Sequence, residues 1–468
     1  DPNITTIGIM NLPHERARDA PFYKCKSLLR VDLKGCTKLT NLGGAAFAYC
    51  YSLTSVVLPD SLTQLGKGAF QNCSFLTSVV LPDSIKRLNK GTFSSCFSLA
   101  SVVLPDSLTQ IDSSAFPGCF SLTSMVFPDR ITEIGKWSFG GCSRLTSIGF
   151  SDSLTKLDMG AFGRCVSLTS VVLPDSLTQL GGLAFGECSS LTSVVFPKNL
   201  IQMGKQDFAR TSLTSVVLPD SLTQLGEQAF GWCSSLTSVV LPDSLTLIDK
   251  GAFQKCSSLT SVVLPNSLKQ LGELAFSECT SLTSVVFPKN LIRMGKQAFV
   301  GCTSLTSVVL PDSLTLLGGE AFARCTSLTS VVLPDSRTRL EKWAFAGCTS
   351  LTSVVLPDGA KLSVDLFDYK CDALLQKSAL AGFESVELYL RDRYKCITLR
   401  KLVLRLLRKY NQAVNNAYGT EAEKHASALA QFPADNFGSL EVGLFLQKMN
   451  LSGGDGVIGL VGYILEFV

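Results

Sequence analysis

The chain has 468 residues, 42 Lys and Arg against 38 Asp and Glu, a formal net charge of +4, 46% hydrophobic residues and a mean hydropathy of +0.28. So small a basic excess argues against nucleic-acid binding, which brings a much stronger bias, and no stretch reaches the roughly 20 apolar residues that cross a bilayer. Two histidines, and no Walker loop or dinucleotide glycine fingerprint, leave little for a His-based triad, a zinc site or a phosphate site, so neither an enzyme nor a bound cofactor is expected.

The chain opens on DPNITT rather than Met. It reads as a processed or truncated form, with residues 1–27 as an N-terminal cap segment.

From Leu28 the sequence repeats. The unit L-T-S-V-V-L-P-D-S-L-T-Q-L-G-x-x-A-F-x-x-C-x-S spans 23 residues and starts at Leu53, Leu76, Leu99 and onward to Leu351, after a degenerate copy LLRVDL at Leu28. One copy is short: FARTSL (Phe208–Leu213) lacks a residue and has Thr211 in place of Cys. Within a copy, Leu53, Val56 and Leu58 alternate with Ser55 and Val57, which is strand spacing. Pro59 ends the strand, Asp60-Ser61 reads as a turn, and Leu62 and Leu65 face inward again. Ala69, Phe70 and Cys73 have the spacing of a short helical or 3₁₀ turn over the core. One copy cannot bury its own apolar face, whereas a stack buries them all. About fifteen copies, with strands about 4.8 Å apart, make a rod or shallow arc roughly 70 Å long, an α/β solenoid with internal Leu, Val, Phe and Cys columns.

This pattern resembles the BspA-like leucine-rich repeat family over Leu28 to Leu374. The resemblance implies a right-handed solenoid that binds proteins or serves in adhesion, often at cell surfaces, without catalysis. A second layer of repetition is SLTSVVFPKNLIQMGKQDF (Ser190–Phe208), which returns as SLTSVVFPKNLIRMGKQAF (Ser281–Phe299), the mark of a duplicated block.

Cysteines stand one per copy, Cys50 to Cys188 and Cys233 to Cys371, a column rather than a pairing code. They read as small buried fillers, and unpaired thiols favour a reducing intracellular or organellar compartment, a cell-surface location being the alternative. The Asp60, Asp83, Asp106 column reads as Asx-type turn chemistry rather than a Ca²⁺ ladder.

The outward strand positions Val57, Val80, Val103, Val172, Val240 and Val309, beside Ser and Thr, form a long uncharged stripe that suits a protein partner. Trp137, Trp232 and Trp343, near a recurring Lys/Glu position, are candidate hot-spot residues. Two Thr columns, at Thr54 and Thr63, raise a lesser alternative of an ice-binding or surface-active solenoid.

Residues 375–468 read as a helical cap and docking domain. Leu399, Leu402, Val403, Leu406 and Leu407 outline an amphipathic helix with Lys401, Arg405, Arg408 and Lys409 on another face. The tail VIGLVGYILEFV, with Tyr463 and Phe467, is too short to span a membrane and apolar enough to dock. Basic helix and tail could serve peripheral membrane contact. The expected function is a non-enzymatic protein–protein interaction module, a scaffold or linker subunit of a larger complex, with a cell-surface adhesin-like binder as the alternative.

Overall fold

The computed structural model describes Thr6–Ile7 and residues 22–334, 337–355 and 366–367. Each copy contributes a three-residue strand, from Arg30–Asp32 through Ser55–Val57 to Ser353–Val355, and most add a two-residue strand such as Gln64–Leu65. All pairings are parallel and in register with the neighbouring copy: Ser78 lies beside Ser101, Val79 beside Val102 and Val80 beside Val103. Leu42 lies beside Leu65, and Ile134 beside Leu157. The repeat length sets this register, so every column is one sequence position seen edge to edge. The result is a parallel β-solenoid with two strand columns and one column of turns.

The turn column corrects the sequence expectation. Among the described residues there is no helix, so the α part of the expected α/β class has no counterpart there, and the C-terminal helical domain lies outside the described residues. Around Phe70 the amides alternate. Gly68, Phe70 and Asn72 donate to Lys90, Thr92 and Ser94 of the next copy, while Ala69, Gln71 and Cys73 bond three residues back. A helix would spend all of these amides internally and forfeit the bonds between rungs. The alternation needs a left-handed backbone at two positions per copy, supplied by Gly68 and Asn72, then Gly91 and Ser95, and also by Trp137 and Trp232. Non-glycine residues adopt this conformation at a cost of order 1 kcal/mol, offset here by a ladder bond at each rung.

Inside, Leu53, Val56, Leu62, Leu65, Phe70 and Cys73 are buried, with their equivalents in nearly every copy. The phenylalanines stack from Phe22 to Phe367 with ring centroids 5.0–5.9 Å apart and interplanar angles of 2–25°. The columns run on before Leu28: Thr6–Ile7 pairs in parallel with Arg30–Val31, and Phe22 opens the aromatic stack.

Candidate interaction surface

The first strand column has one inward and two outward positions. Val79 is 2% exposed, whereas Val80 is 64% exposed. The same alternation leaves Val57, Val103, Val126, Val172, Val195, Val217, Val240, Val263, Val286 and Val309 on the surface. The stripe is broken at Gly149 and carries a charge only at the first rung, Arg30 and Asp32. The neighbouring hydroxyls are committed within the chain: Thr77 Oγ1 donates to Thr54 O at 3.2 Å and Thr237 Oγ1 to Thr214 O at 2.9 Å. The second Thr column does the same, Thr63 to Thr40 at 2.9 Å. The strand face is therefore a lattice of fixed Thr, Ser and exposed Val.

At the far end of each strand, Ser61 donates to Leu39 O at 2.8 Å and Ser107 to Ile85 O at 2.8 Å. The serine hydroxyl rather than the Asp carboxylate ties this turn to its neighbour. Asp32, at the Val57 position of the first copy and outside this column, accepts from Lys34 N two residues on. Asp175 instead binds the next copy through Lys198 N and Nζ, and the backbone bond, then the ammonium, hold its carboxyl below the usual range. Among the described residues no three His, Cys, Asp or Glu side chains are placed to hold a metal ion.

The cysteines are more than filler. Each thiol from Cys50 to Cys188 and from Cys233 to Cys348 is buried and donates to the Phe carbonyl of the preceding rung at 2.9–3.3 Å, as Cys96 does to Phe70 and Cys279 to Phe253, and Cys371 lies outside the described residues. Burial pushes Cys96 and Cys142 up to about 12, so the reactive thiolate is suppressed.

The tryptophans lie on the turn column, away from the valine face, and do not come together. Trp137 is half-buried, its indole laid over Gly160 and Gly163 of the next copy, where any side chain would collide with the ring. Trp232 is half-buried under the Arg210 guanidinium, 5.0 Å from the ring centroid. Trp343 is 51% exposed and lines an open groove with Lys296, Glu320 and Arg339. The recurring Lys/Glu position forms ion pairs between rungs, Lys205 with Glu227 at 3.1 Å and Lys250 with Glu273 at 3.3 Å. Lys401, Arg405, Arg408, Lys409, Tyr463 and Phe467 lie outside the described residues.

Two features escaped sequence reasoning. Asp207 takes the buried Ala position of the short copy, its Oδ2 accepting from Gly204 N at 2.6 Å and Oδ1 from Ala184 N at 3.4 Å. Burial pushes it up to about 7, against the pull of those two amides. The substitution of Asp for Ala was visible in QDF against QAF, but its burial was not. The second is a row of exposed aromatics, Tyr51, Phe75, Phe97 and Phe120, at the corner between the turn column and the strand face. Its signal was an aromatic residue one or two positions after the cysteine in the early copies.

Residues 4–122, 109–237, 223–352 and 275–376 match the BspA type leucine rich repeat region. A leucine-rich repeat protein from Bacteroides ovatus is 32% identical, covering 70% of this chain and 86% of its own, with a TM-score of 0.65. A leucine rich cell surface protein from Faecalibacterium prausnitzii is 25% identical, covering 69% of this chain and 84% of its own, with a TM-score of 0.43. No curated protein matches.

Proposed function

We propose, from the premise that this chain belongs to the BspA type leucine-rich repeat family, that it is a non-enzymatic protein-binding module acting as a scaffold or linker subunit of a larger assembly. The observation that carries the reading is the exposed valine stripe on a hydrogen-bonded lattice. The stripe runs over four rungs from Val57 to Val126 and seven from Val172 to Val309, and a run of exposed apolar side chains marks an interaction site. Fourteen rungs at about 4.8 Å and four residues at about 3.3 Å each give a face of roughly 900 Å², near the roughly 800 Å² that one partner of a stable complex buries. Rigid rungs and pre-bonded hydroxyls reduce the ordering cost of docking there.

The uniform face suits an extended partner rather than a small ligand, because no rung offers a pocket its neighbours lack. The sealed thiols place no demand on the redox state of the compartment.

The test is gentle isolation of the native protein, sizing, and mass spectrometry of what co-migrates, repeated with Val172→Lys, Val217→Lys and Val263→Lys combined. A partner held by the native chain and lost from the variant supports the reading. A partner retained by the variant sinks it, and migration alone near 50 kDa would replace the scaffold with a free surface binder.

A further inference from the structure

Each rung turns a corner between its buried cysteine and the next strand. In later copies the residue after the cysteine is Ser234, Ser257, Thr280, Thr303, Thr326 or Thr349. In the early copies the same position holds Tyr51, Phe97 and Phe120, and Phe75 stands one residue further on; all four are exposed, Phe75 to 59%. Leu29 is exposed beside them. The Phe97 and Phe120 rings stack 5.2 Å apart at 7°, and Tyr23, Tyr49 and Tyr51 continue the row in edge contacts of 5.5 and 6.0 Å. This is a ridge of side chains at successive rungs.

The charges around it are mostly positive. Lys24 and Lys26 flank its first rung, Arg30 stands at the adjoining strand position, and Arg144 occupies the Phe75 position in the copy that follows Phe120. Lys24 lies over the Tyr23 and Tyr49 rings at 5.1 and 6.0 Å. Lys26, Arg30 and Arg144 are exposed, and among the described residues none of these four cations makes an ion pair, whereas Arg164, further along, is held by Glu187 at 3.3 Å. Asp32 is the single acid on the adjoining strand position. The aspartates at Asp60, Asp83 and Asp106 sit at the opposite end of the strands, five residues or about 16 Å from Ser55. That exceeds the Debye length of about 8 Å at physiological salt, so they do not cancel the positive edge.

We propose that this N-terminal corner docks the solenoid onto a bilayer surface that carries anionic lipid, with the exposed rings at headgroup depth and Lys24, Lys26, Arg30 and Arg144 against the lipid phosphates. Tyr favours the membrane interface, Phe suits the apolar face of segments that lie in it, and basic residues beside them bind the anionic leaflet. Phe97 and Phe120 stack on one another and hide the faces they share, which disfavours a sugar ligand on that pair. A protein hot spot sits in a well-packed pocket, and these rings stand on a ridge. The proposal stands apart from the strand-face reading, since its residues other than Arg30 lie off the valine stripe.

The experiment is co-sedimentation of the full chain with vesicles of phosphatidylcholine alone and of phosphatidylcholine mixed with phosphatidylserine. The chain is expected to sediment with the mixed vesicles, to stay in solution with phosphatidylcholine alone, and to be released by salt. Phe75→Ser, Phe97→Ser and Phe120→Thr together use residues that other copies carry at the same positions, so the fold is kept, and circular dichroism checks it. This variant is expected to lose roughly tenfold or more in binding, and Lys26→Ser with Arg30→Ser a similar amount. No sedimentation of the native chain overturns the proposal. So does a folded triple variant that binds like the native chain, which would move membrane contact to residues 375–468. Loss of a protein partner in the triple variant, without vesicle binding by the native chain, assigns the ridge to a protein instead.

Discussion

The copy from Leu236 to Cys256 and the short copy from Leu191 to Thr211 share one template and solve it differently. In the first, Ala252 fills the space beside Phe253, and the Cys256 thiol donates to Phe230 O at 3.2 Å. In the second, Asp207 replaces Ala, Thr211 replaces Cys, and a residue is missing before Leu213. The two-residue strand shrinks there to bridges through Gln202, and the Gly204 amide turns to the Asp207 carboxylate instead of the preceding rung. Thr211 Oγ1 donates to Phe208 O within its own copy and meets the Cys233 thiol at 3.2 Å, so the thiol ladder passes through in altered form. A regular rung is tied to its neighbours by backbone and by its thiol, whereas the irregular one reaches an amide of the preceding rung with a carboxylate. A solenoid therefore tolerates a deletion when a polar side chain reaches the orphaned amide.

The comparison breaks most sharply at the aromatic stack. Phe253→Ala removes one ring from a fully buried column and is expected to cost about 3–5 kcal/mol, read as a large fall in the denaturation midpoint, with the steepest loss of hydrogen-exchange protection in the adjoining rungs. Asp207→Ala sharpens it in the opposite direction. An acid whose folded value, about 7, lies above its unfolded value, 3.8, holds its proton more tightly when folded. Its penalty is absent below pH 4, grows between those values and is complete above pH 7. Asp207→Ala is therefore expected to raise stability at pH 8 by on the order of 2–4 kcal/mol, and to lose about 1 kcal/mol at pH 4 through the Gly204 bond. Chemical denaturation at the two pH values checks this, and a pH-independent difference would refute it. Cys279→Ala, in a regular rung, is expected to cost about 1–2 kcal/mol, because the Phe253 carbonyl keeps its bond from Cys256 N. At the small end, Val217→Lys is expected to change stability by less than about 0.5 kcal/mol, while thermal unfolding and partner binding respond independently.

Much of the fold was legible in the residues. A 23-residue period with one Pro, one Phe and one Cys per copy can be satisfied only if equivalent residues stack, and the inward Leu, Val, Phe and Cys columns follow. The valine stripe was equally readable, since Val56 and Val57 must face opposite sides of a strand. The turn column was misread because Ala69, Phe70 and Cys73 have helical spacing, and only the demand for bonds between rungs selects left-handed turns instead. Glycine and asparagine at positions 68 and 72 carried that signal. Trp137 and Trp343 hold the same repeat position in sequence, yet Trp137 finds a glycine bed in the next copy, where the residue 23 positions beyond Trp343 is Leu366.

By itself, then, the sequence determined the period, the register, the core columns and the uncharged strand face, all properties of a single copy repeated. What only the tertiary structure decided are relations between copies: which amides cross from rung to rung, where the Asp207 carboxyl is sealed from water, and which cations at the aromatic ridge lack a carboxylate partner among the described residues. Those depend on residues about 23 positions apart meeting at about 5 Å, a distance that no reading along one copy contains.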